Sequence, residues 1–283
     1  MQIQIIADSC CDVTPAMRST LHLLSAPLKI TIDGDKHYVD DANINVKNLL
    51  ADMKATKNPV STAAPAPEEF AELMRTAEAS VVVTLSHHLS GSFNAAMAAR
   101  QMVLEESPER KILVLDSKSA SAGETRIVLE LNKRIGEGAT FEQLEEEMPL
   151  FINNMRTYFV LEDLGTLIKN GRIPRMAGML GTMLMLRPIM GENGDGEIIS
   201  LEKVRGTQKA LARLVEMLAE KTSTAIKNSL TMVLSYCNCP ERAAELKKDF
   251  LATCPALAEV IMVPTSGLSS TYANNGGIVI ALA

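Results

Sequence analysis

Two histidines, two serines and a glycine stand together in the segment VVVTLSHHLSGSFNAAMAAR, which runs from Val81 to Arg100. Its pattern predicts a buried strand that leads into a helix through a loop rich in hydroxyls. Ser90, Gly91 and Ser92 would then lie at the N-terminus of that helix, where unpaired backbone N–H groups and the helix dipole favour an anion. The alternative is that Ser90 or Ser92 only caps the helix.

The anion expected at this loop is a carboxylate rather than a phosphate. The chain contains no Gly-x-x-x-x-Gly-Lys-Ser/Thr loop and no Gly-x-Gly-x-x-Gly turn after a strand. His87 and His88 are the only adjacent potential cations. A carboxylate needs only a few hydroxyl and amide donors, and Thr62 of the segment VSTAAPAPEEF could supply another.

Ser90 could also be a nucleophile, because two histidines are close to it in sequence. The Gly-x-Ser-x-Gly elbow of many hydrolases is absent, since position 88 is histidine. The chain has four histidines and no His-Glu-x-x-His motif, which argues against metal-dependent hydrolysis. We therefore predict no catalytic residue, no metal and no cofactor. An acyl-ester hydrolase with Ser90 as nucleophile is kept as the alternative.

Methionine is unusually frequent, with 16 residues against six phenylalanines and no tryptophan. Several of them lie in the segment RMAGMLGTMLMLRPIM. Methionine is unbranched and polarizable, so it can fill an irregular core or line the path of a flexible apolar ligand. An apolar cavity behind a carboxylate site would suit an acid with a long tail. The candidate lining residues are Met176, Met179, Met183 and Met185.

The overall composition narrows the class of partner. The chain has 283 residues, 47% of them hydrophobic, and a formal net charge of −6. That charge argues against nucleic acid or an anionic membrane as the main partner, because both attract basic surfaces. No apolar run reaches the roughly 18 residues that a membrane span needs, and no signal-peptide pattern is visible. We expect a cytoplasmic protein without stable membrane insertion.

Short apolar runs and amphipathic segments alternate along the chain, which is typical of α/β proteins. The runs predict strands at Ile3–Ala7, Val81–Leu85, Ile112–Leu115, Tyr158–Leu161, Met232–Leu234, Val260–Val263 and Ile278–Leu282. Helices are predicted at Glu68–Glu78, Phe93–Glu106, Thr140–Asn153 and Gln208–Lys221, and a hairpin turn at Gly191–Gly196. We predict two α/β domains with mostly parallel sheets, residues 1–155 and residues 156–283.

Several of the predicted strands end on small polar residues. Asp8 and Ser9 follow the first strand, Ser86 follows VVVTL, and Asp116 follows ILVL. In open parallel sheets the ligand lies beyond the carboxyl ends of the strands. These side chains are therefore expected to converge on one polar site.

Six segments spread over nearly the whole chain carry the pattern of one known family. They are IIADSCCDVTP, VSTAAPAPEEF, LSHHLSGSFNAA, VLDSKSASAGE, FVLEDLGTLIKNGRI, and the succession LRPIM, GENGDGEI and LEKVRG. In this order they resemble the DegV family of bacterial fatty-acid-binding proteins. The resemblance implies a two-domain α/β fold that holds a long-chain fatty acid, with its tail in an apolar tunnel and its carboxylate on hydroxyls between the domains. It also implies that the chain carries the acid for a separate ATP-binding fatty-acid kinase, which phosphorylates the carboxylate.

Carried over by position, the resemblance assigns roles to individual residues. Thr62 and Ser90 would hydrogen-bond the carboxylate, with Ser92 nearby. Arg172 would place a positive charge near the head group. Arg205 would lie on the face that meets the kinase.

The chain departs from the family pattern at three positions. Tyr272 stands where the family has a head-group histidine, Asn170 replaces the first glycine of a Gly-Gly-Arg signature, and Arg187 replaces a lysine. A phenol can donate one hydrogen bond to a carboxylate, but with a pKa of about 10 a phenol does not act as a base near neutral pH. Tyr272 is therefore a candidate carboxylate contact. The departure also leaves open a lipid-binding regulatory or interaction protein without kinase coupling.

Overall fold

The structure is a computed structural model and describes residues 2–173 and 186–283. Its strands are β1 (Ile3–Asp8), β2 (Leu24–Ala26), β3 (Lys29–Ile32), β4 (Lys36–Val39), β5 (Ser61–Ala63), β6 (Ala79–Thr84), β7 (Lys111–Asp116), β8 (Arg156–Val160), β9 (Leu186–Glu192), β10 (Ile198–Arg205), β11 (Leu230–Tyr236), β12 (Leu257–Pro264) and β13 (Ile278–Leu282). Its helices are α1 (Pro15–Thr20), α2 (Val46–Ala55), α3 (Pro67–Met74), α4 (Ser92–Glu106), α5 (Ala122–Gly136), α6 (Phe141–Asn154), α7 (Gly165–Lys169), α8 (Thr207–Lys221), α9 (Pro240–Thr253) and α10 (Gly267–Ala273). No helix among these described residues is both long enough and apolar enough to cross a bilayer.

The first sheet is parallel and has the strand order β2-β1-β6-β7. Its central strands form from β-branched residues that are covered on both faces, and all six residues of β6 are buried. Helices α3 and α4 pack on one face, while α5 and α6 pack on the other. The carboxyl ends of β1, β6 and β7 therefore meet at one edge, as the sequence predicted.

The second sheet has six strands in the order β10-β9-β8-β13-β11-β12. Only β11 and β12 are parallel neighbours, and the other four pairs are antiparallel. The α/β class is confirmed, whereas the expectation of mostly parallel strands holds for the first sheet and the second is mixed. The strand directions could not be read from the sequence because both faces of the second sheet are covered, one by α5 and the other by α8 and α9. A strand buried on both faces has a continuous apolar sequence whatever its direction.

Helix α5 lies between the two large sheets. Its Ile127 and Leu131 share one apolar cluster with Val83 of the first sheet and with Val233 and Ala281 of the second. The helix is therefore buried around most of its circumference rather than along one stripe. Its N-terminus faces the space between the two sheets, and this is where the cavity described below begins.

A third, smaller sheet is antiparallel, with the order β4-β3-β5. Strand β5 carries Thr62, which pairs with Ile30 of β3. This pairing holds the hydroxyl-rich segment ahead of α3 in an extended conformation. Thr62 is thereby fixed on a short strand instead of a loose loop.

The predicted elements agree with the structure in position and type. The helix predicted at Glu68–Glu78 ends earlier, at Met74, because β6 already begins at Ala79. The predicted hairpin is formed by β9 and β10. Every strand of the six-stranded sheet follows residue 155. This supports the division into residues 1–155 and 156–283, which stays a prediction.

Candidate functional site

A cavity of about 350 Å³ opens where the carboxyl edge of the first sheet faces the second sheet. Apolar side chains form most of its described wall: Leu28, Leu85, Leu89, Phe159, Leu161, Leu167, Ile198, Leu268 and Val279. Polar groups also reach the cavity, and they include Thr62, Ser90, Ser119, Ser121, Arg172, Ser269 and Tyr272. The volume lies in the range of about 300–1,000 Å³ that is usual for small-molecule sites. An apolar wall with a cluster of hydroxyls suits a ligand that has a polar head and an apolar body.

Three elements that are distant in sequence bring their polar side chains together at this wall. The hydroxyls of Thr62 on β5 and Tyr272 on α10 are 2.8 Å apart. Asn170, which ends α7, donates from Nδ2 to the Tyr272 hydroxyl over 3.3 Å and to the carbonyl of Val60 over 2.9 Å. We call Thr62, Asn170 and Tyr272 the hydroxyl network. Its members carry no formal charge, so it can donate to an anion without first losing a counterion.

Two of the three departures from the family pattern are therefore in direct contact. The sequence places Asn170 and Tyr272 about a hundred residues apart, and the structure joins them by a hydrogen bond. Because Asn170 can donate to the phenol oxygen, the phenol proton is left for Thr62 or for a ligand. The asparagine thus orients the tyrosine that stands in the place of the expected histidine.

The serine loop at the start of α4 contributes Ser90 and Gly91 to the cavity wall. The Ser90 hydroxyl donates to Ser92 Oγ over 3.2 Å and accepts from the Ser92 backbone N–H over 3.2 Å. Ser92 itself is completely buried and its hydroxyl lies beside Asp8. Ser90 therefore faces the cavity, whereas Ser92 lies behind it. The N-cap of α4 is Gly91, without a side-chain cap hydrogen bond, so neither Ser90 nor Ser92 is the helix cap that the sequence offered as an alternative.

The two histidines beside this loop are bound to carboxylates. His87 Nδ1 is 2.5 Å from Asp116 Oδ2, and His88 Nε2 is 3.1 Å from Asp195 Oδ2. Ser90 is hydrogen-bonded to Ser92 rather than to an imidazole. The serine–histidine pair that the hydrolase alternative requires is not formed among the described residues.

Arg172 brings a guanidinium to the cavity wall. Its Nε donates to the carbonyl of Leu89 over 3.1 Å, and its terminal NH1 donates to the carbonyl of Asn170. These bonds tie the loop that carries Ser90 to the C-terminal end of α7. Arg172 therefore positions two parts of the site and adds a positive charge near the hydroxyls.

Two buried aspartates hold the helix that carries Tyr272. Asp12 accepts the backbone N–H of Ser266 at 2.7 Å, and Asp40 accepts the N–H groups of Gly267 and Leu268 at 2.7 and 2.9 Å. Both carboxylates thus bind the N-terminus of α10, where they satisfy free N–H groups. Burial raises the pKa of Asp40 to about 6, against the lowering effect of these hydrogen bonds. Burial also raises the pKa of Asp12.

A second pair of buried acids lies under the serine loop. Asp8 accepts the backbone N–H groups of Leu85 at 2.8 Å and Cys10 at 3.1 Å. Glu124 of α5 is fully buried near it, and burial followed by the charge of Asp8 raises the pKa of Glu124 well above its usual value. Burial raises the pKa of Asp8 as well, but its N–H partners stabilise the charged form. Burial therefore raises both pKa values, and Asp8 has backbone N–H partners that oppose the rise.

Arg205 and four methionines complete the set of predicted residues. Arg205 is exposed at the end of β10. The candidate tail-lining methionines fall outside the described residues, and they are Met176, Met179, Met183 and Met185.

Sequence reasoning missed most of the apolar wall. Phe159 and Leu161 come from β8 and the residue after it, Leu167 comes from α7, and Leu268 comes from α10. They are apolar residues in apolar segments, so no pattern separates them from ordinary core residues. The one usable signal is position, because Leu85 and Leu161 directly follow strands that end at the cavity.

The model of one protein family, described as "Uncharacterised protein, DegV family", matches residues 2–283. The chain belongs to the DegV family. A DegV domain-containing protein of Streptococcus pneumoniae is 32% identical over 282 residues, which are 98% of each chain. The family resemblance read from the six sequence segments is thereby confirmed.

Solved structures of DegV proteins have the same fold. A DegV-family protein of Ruminococcus gnavus, described with vaccenic acid, is 36% identical and covers 99% of both chains with a TM-score of 0.91. The fatty acid kinase B3 protein of Streptococcus pneumoniae, loaded with linoleic acid, is 30% identical and covers 99% of both chains with a TM-score of 0.89. The predicted two-domain α/β fold is confirmed by these similarities.

Proposed function

We propose that this DegV protein binds one long-chain fatty acid, with the carboxylate at the hydroxyl network and Ser90 and the tail along the apolar wall. The observation that carries this proposal is the mainly apolar cavity with hydroxyls from Thr62, Ser90 and Tyr272. The Ruminococcus and Streptococcus relatives, described with vaccenic and linoleic acid, support the class of ligand.

The head group would be held by neutral donors and one guanidinium. A carboxylate near Thr62, Ser90 and Tyr272 could accept three hydroxyl hydrogen bonds if the Ser90 proton turns away from Ser92 and the Thr62–Tyr272 bond is given up. Arg172 would add a positive charge. Hydrogen bonds to a charged group contribute about 1.5–3 kcal/mol each. Gly91 and Ser92 would support Ser90 through the start of α4. Several such bonds would offset much of the cost of moving a carboxylate out of water.

Mass spectrometry of the purified protein under native conditions tests the ligand directly. We expect one fatty acid per chain, identified after solvent extraction. Its length and unsaturation would show whether the cavity extends beyond the described wall, toward Met176, Met179, Met183 and Met185. A protein that is purified empty, and that takes up no added fatty acid, would contradict the proposal.

The head-group assignment is tested by binding measurements on delipidated variants. Ser90→Ala and Thr62→Val should each weaken fatty-acid binding about tenfold to a hundredfold, because each removes a hydrogen bond to a charge. Ser223→Ala and Thr224→Val are matched controls, since both residues are exposed after α8 and far from the cavity. Equal affinities for site and control variants would show that the carboxylate lies elsewhere.

We further propose that the chain is a carrier that presents the bound carboxylate to a separate ATP-binding kinase. The name of the Streptococcus relative as a fatty acid kinase B protein supports this role. Arg205 is an exposed cation at the end of β10, away from the cavity, and is the candidate contact with that partner.

Coupled turnover with a purified ATP-binding fatty-acid kinase subunit tests the carrier role. We expect ATP-dependent acyl-phosphate formation that falls in Arg205→Ala, while fatty-acid binding stays unchanged. Lys203→Ala removes another exposed cation from the same strand and is the control. Absence of turnover in the wild type, together with its appearance in Tyr272→His, would instead assign this chain a regulatory role without kinase coupling.

A further inference from the structure

Four side chains that could organise a metal ion meet at the surface beside the cavity. His87 and His88 lie in the loop after β6, Asp116 ends β7, and Asp195 lies in the turn between β9 and β10. Single ligand atoms of His87, His88 and Asp195 all lie within 4.8 Å of one another. The centroids of the two imidazole rings are 3.9 Å apart, so the rings lie against each other.

The two loops that carry these residues are held together by a buried contact. The hydroxyl of Ser86 donates to the carbonyl of Gly196 over 2.9 Å. Gly196 has a φ of +92°, and a β-carbon there would lie 2.5 Å from Ser86 Oγ and 2.9 Å from Lys118 Cα. The turn therefore packs closely against the loop, and the fold itself presents Asp195 to the histidines.

Asp116 determines which nitrogen of His87 is available. Its Oδ2 is 2.5 Å from His87 Nδ1, and its side chain is only 15% exposed. A carboxylate that accepts the Nδ1 proton leaves the Nε2 lone pair for a metal, which is the usual arrangement behind a metal-bound histidine. Asp116 would therefore position the His87 ring for metal binding.

The spacing of His88 and Asp195 fits a small tetrahedral ion. His88 Nε2 and Asp195 Oδ2 are 3.1 Å apart. Two ligand atoms of a tetrahedral zinc ion, at bond lengths of about 2.1 Å, are about 3.4 Å apart. These two ligands therefore need little movement, and a ring nitrogen of His87 already lies within 4.8 Å of both.

The charges around the histidines also favour a cation. Asp116, Asp195 and Glu197 are carboxylates, and Glu197 lies 4.0 Å from His88 Nδ1. The ammonium group of Lys118 also reaches this cluster, with Nζ 3.4 Å from Asp195 Oδ1. Lys118 would compete with a metal for Asp195, but its single positive charge does not balance the negative charges of all three carboxylates.

We propose that this surface binds one Zn²⁺ ion through His87, His88 and Asp195, with water at the remaining position. Two imidazoles and a carboxylate form a ligand set that suits zinc, whereas magnesium and calcium prefer oxygen ligands alone. The sequence predicted no metal because the chain has four histidines and no His-Glu-x-x-His motif, and Asp195 is 107 residues from His88. The bound ion would link the loop that carries Ser90 to the β9–β10 turn. The proposal does not depend on fatty-acid binding.

Calorimetric titration of the chelator-treated full chain with Zn²⁺ tests the site. We expect one ion per chain and a melting temperature that rises with zinc concentration, because binding to the folded state alone stabilises it. His88→Gln and Asp195→Asn should each weaken zinc binding at least tenfold. His37→Gln changes an exposed histidine elsewhere and should leave the affinity unchanged.

Two further variants separate a metal site from a general effect on the loop. Asp116→Asn should weaken zinc binding about tenfold to a hundredfold, because it removes the partner that orients His87. Lys118→Met should strengthen zinc binding, because it removes the cation that competes for Asp195. An increase in affinity is not expected from damage to the fold.

Cobalt spectroscopy distinguishes this site from the cysteines. Co²⁺ bound to histidine and carboxylate ligands should give visible absorption bands without the intense ultraviolet charge-transfer band of a thiolate ligand. A thiolate band would overturn the proposal. So would the absence of zinc binding in the wild type, or equal affinity in the wild type and in a variant that combines His87→Gln with His88→Gln.

Discussion

Two polar regions support the cavity, and they are built from opposite chemistry. The hydroxyl network of Thr62, Asn170 and Tyr272 consists of neutral groups, and Thr62 and Tyr272 line the cavity wall. The acids Asp12 and Asp40 lie behind it, buried and hydrogen-bonded to backbone N–H groups of α10. Neutral donors face the space where an anion is proposed, and Asp12 and Asp40 lie behind them, while Glu192 is the acid among the described lining residues.

Neutral and charged groups have different tasks in this site. A carboxylate close to the head group would repel a fatty acid, and the charges of Asp12 and Asp40 are instead used by the fold. Asp12 and Asp40 bind the N-terminus of the helix that presents Tyr272. We therefore expect changes in the buried acids to alter stability first, and changes in the hydroxyl network to alter ligand affinity first.

The largest expected effect is on stability, from Asp12→Ala. The substitution leaves the buried Ser266 N–H and the Ser121 hydroxyl without their acceptor. Each unpaired buried donor costs about 1–3 kcal/mol, so the free energy of unfolding should fall by about 2–6 kcal/mol. Denaturant unfolding of the ligand-free protein measures this change.

Two comparisons make the Asp12 result specific. Asp249→Ala removes an exposed carboxylate from α9 and should change stability little. Asp12→Asn keeps an acceptor oxygen and should cost less than Asp12→Ala. If Asp12→Ala were stable but bound fatty acid weakly, it would be wrong to assign stability to the buried acids and ligand affinity to the hydroxyl network.

The next effect is a dependence of stability on pH, which comes from Asp40. Its pKa rises from 3.8 to about 6 on folding, mainly because the carboxyl is buried. The folded state therefore binds the proton more tightly than the unfolded state between these values, and Asp40 makes the protein more stable as the pH falls from about 6 toward 4. The full contribution is up to about 3 kcal/mol, at about 1.36 kcal/mol for each unit of pKa.

Unfolding curves of the wild type and Asp40→Asn between pH 4 and 7 test this sign. Surface carboxylates with lowered pKa values, such as Asp52 and Glu106, have the opposite effect in both proteins. The difference between the two curves therefore isolates Asp40. A wild type that loses stability relative to Asp40→Asn on acidification would show that Asp40 is a stabilising anion.

Three of the four strands of the first sheet were predictable from the sequence, while β2, α5 and the direction of several strands were not. Strands β1, β6 and β7 are short apolar runs with polar ends. Helix α5 was missed because nine of its residues are buried, Glu124 and Arg126 among them, so it shows no clean apolar stripe. In the second sheet, burial on both faces removes the alternation that usually marks an antiparallel strand.

The site could be predicted only in part, and for a physical reason. The hydroxyls of Thr62 and Ser90 and the charge of Arg172 were named from motifs, and the structure brings all three to one wall. The contact between Asn170 and Tyr272 was not foreseen, because a sequence gives no distance between residues on different elements. The histidine–carboxylate cluster was missed for the same reason.

A smaller effect, on affinity rather than stability, is expected from Tyr272→Phe. The variant keeps the packing of the ring and removes the hydroxyl that bonds Thr62 and faces the proposed carboxylate. Fatty-acid binding should weaken by about 1.5–3 kcal/mol if the hydroxyl donates to the charge, with little change in melting temperature. Tyr38→Phe, on β4 and away from the cavity wall, is the matched control for binding. Unchanged affinity with lower stability would show that the Tyr272 hydroxyl supports the fold and does not bind the ligand.

The smallest effect tests whether the two departures from the family pattern act as a pair. Fatty-acid affinities of Asn170→Ala, Tyr272→Phe and the double variant form a double-mutant cycle. Because Asn170 donates to the Tyr272 hydroxyl over 3.3 Å, we expect the two changes to be non-additive by at least about 0.5 kcal/mol. The same cycle with Asn58→Ala, an exposed residue whose side chain donates to Asp33, should be additive. Additivity in both cycles would mean that Asn170 serves only the Val60 carbonyl, and that the tyrosine binds the ligand without its help.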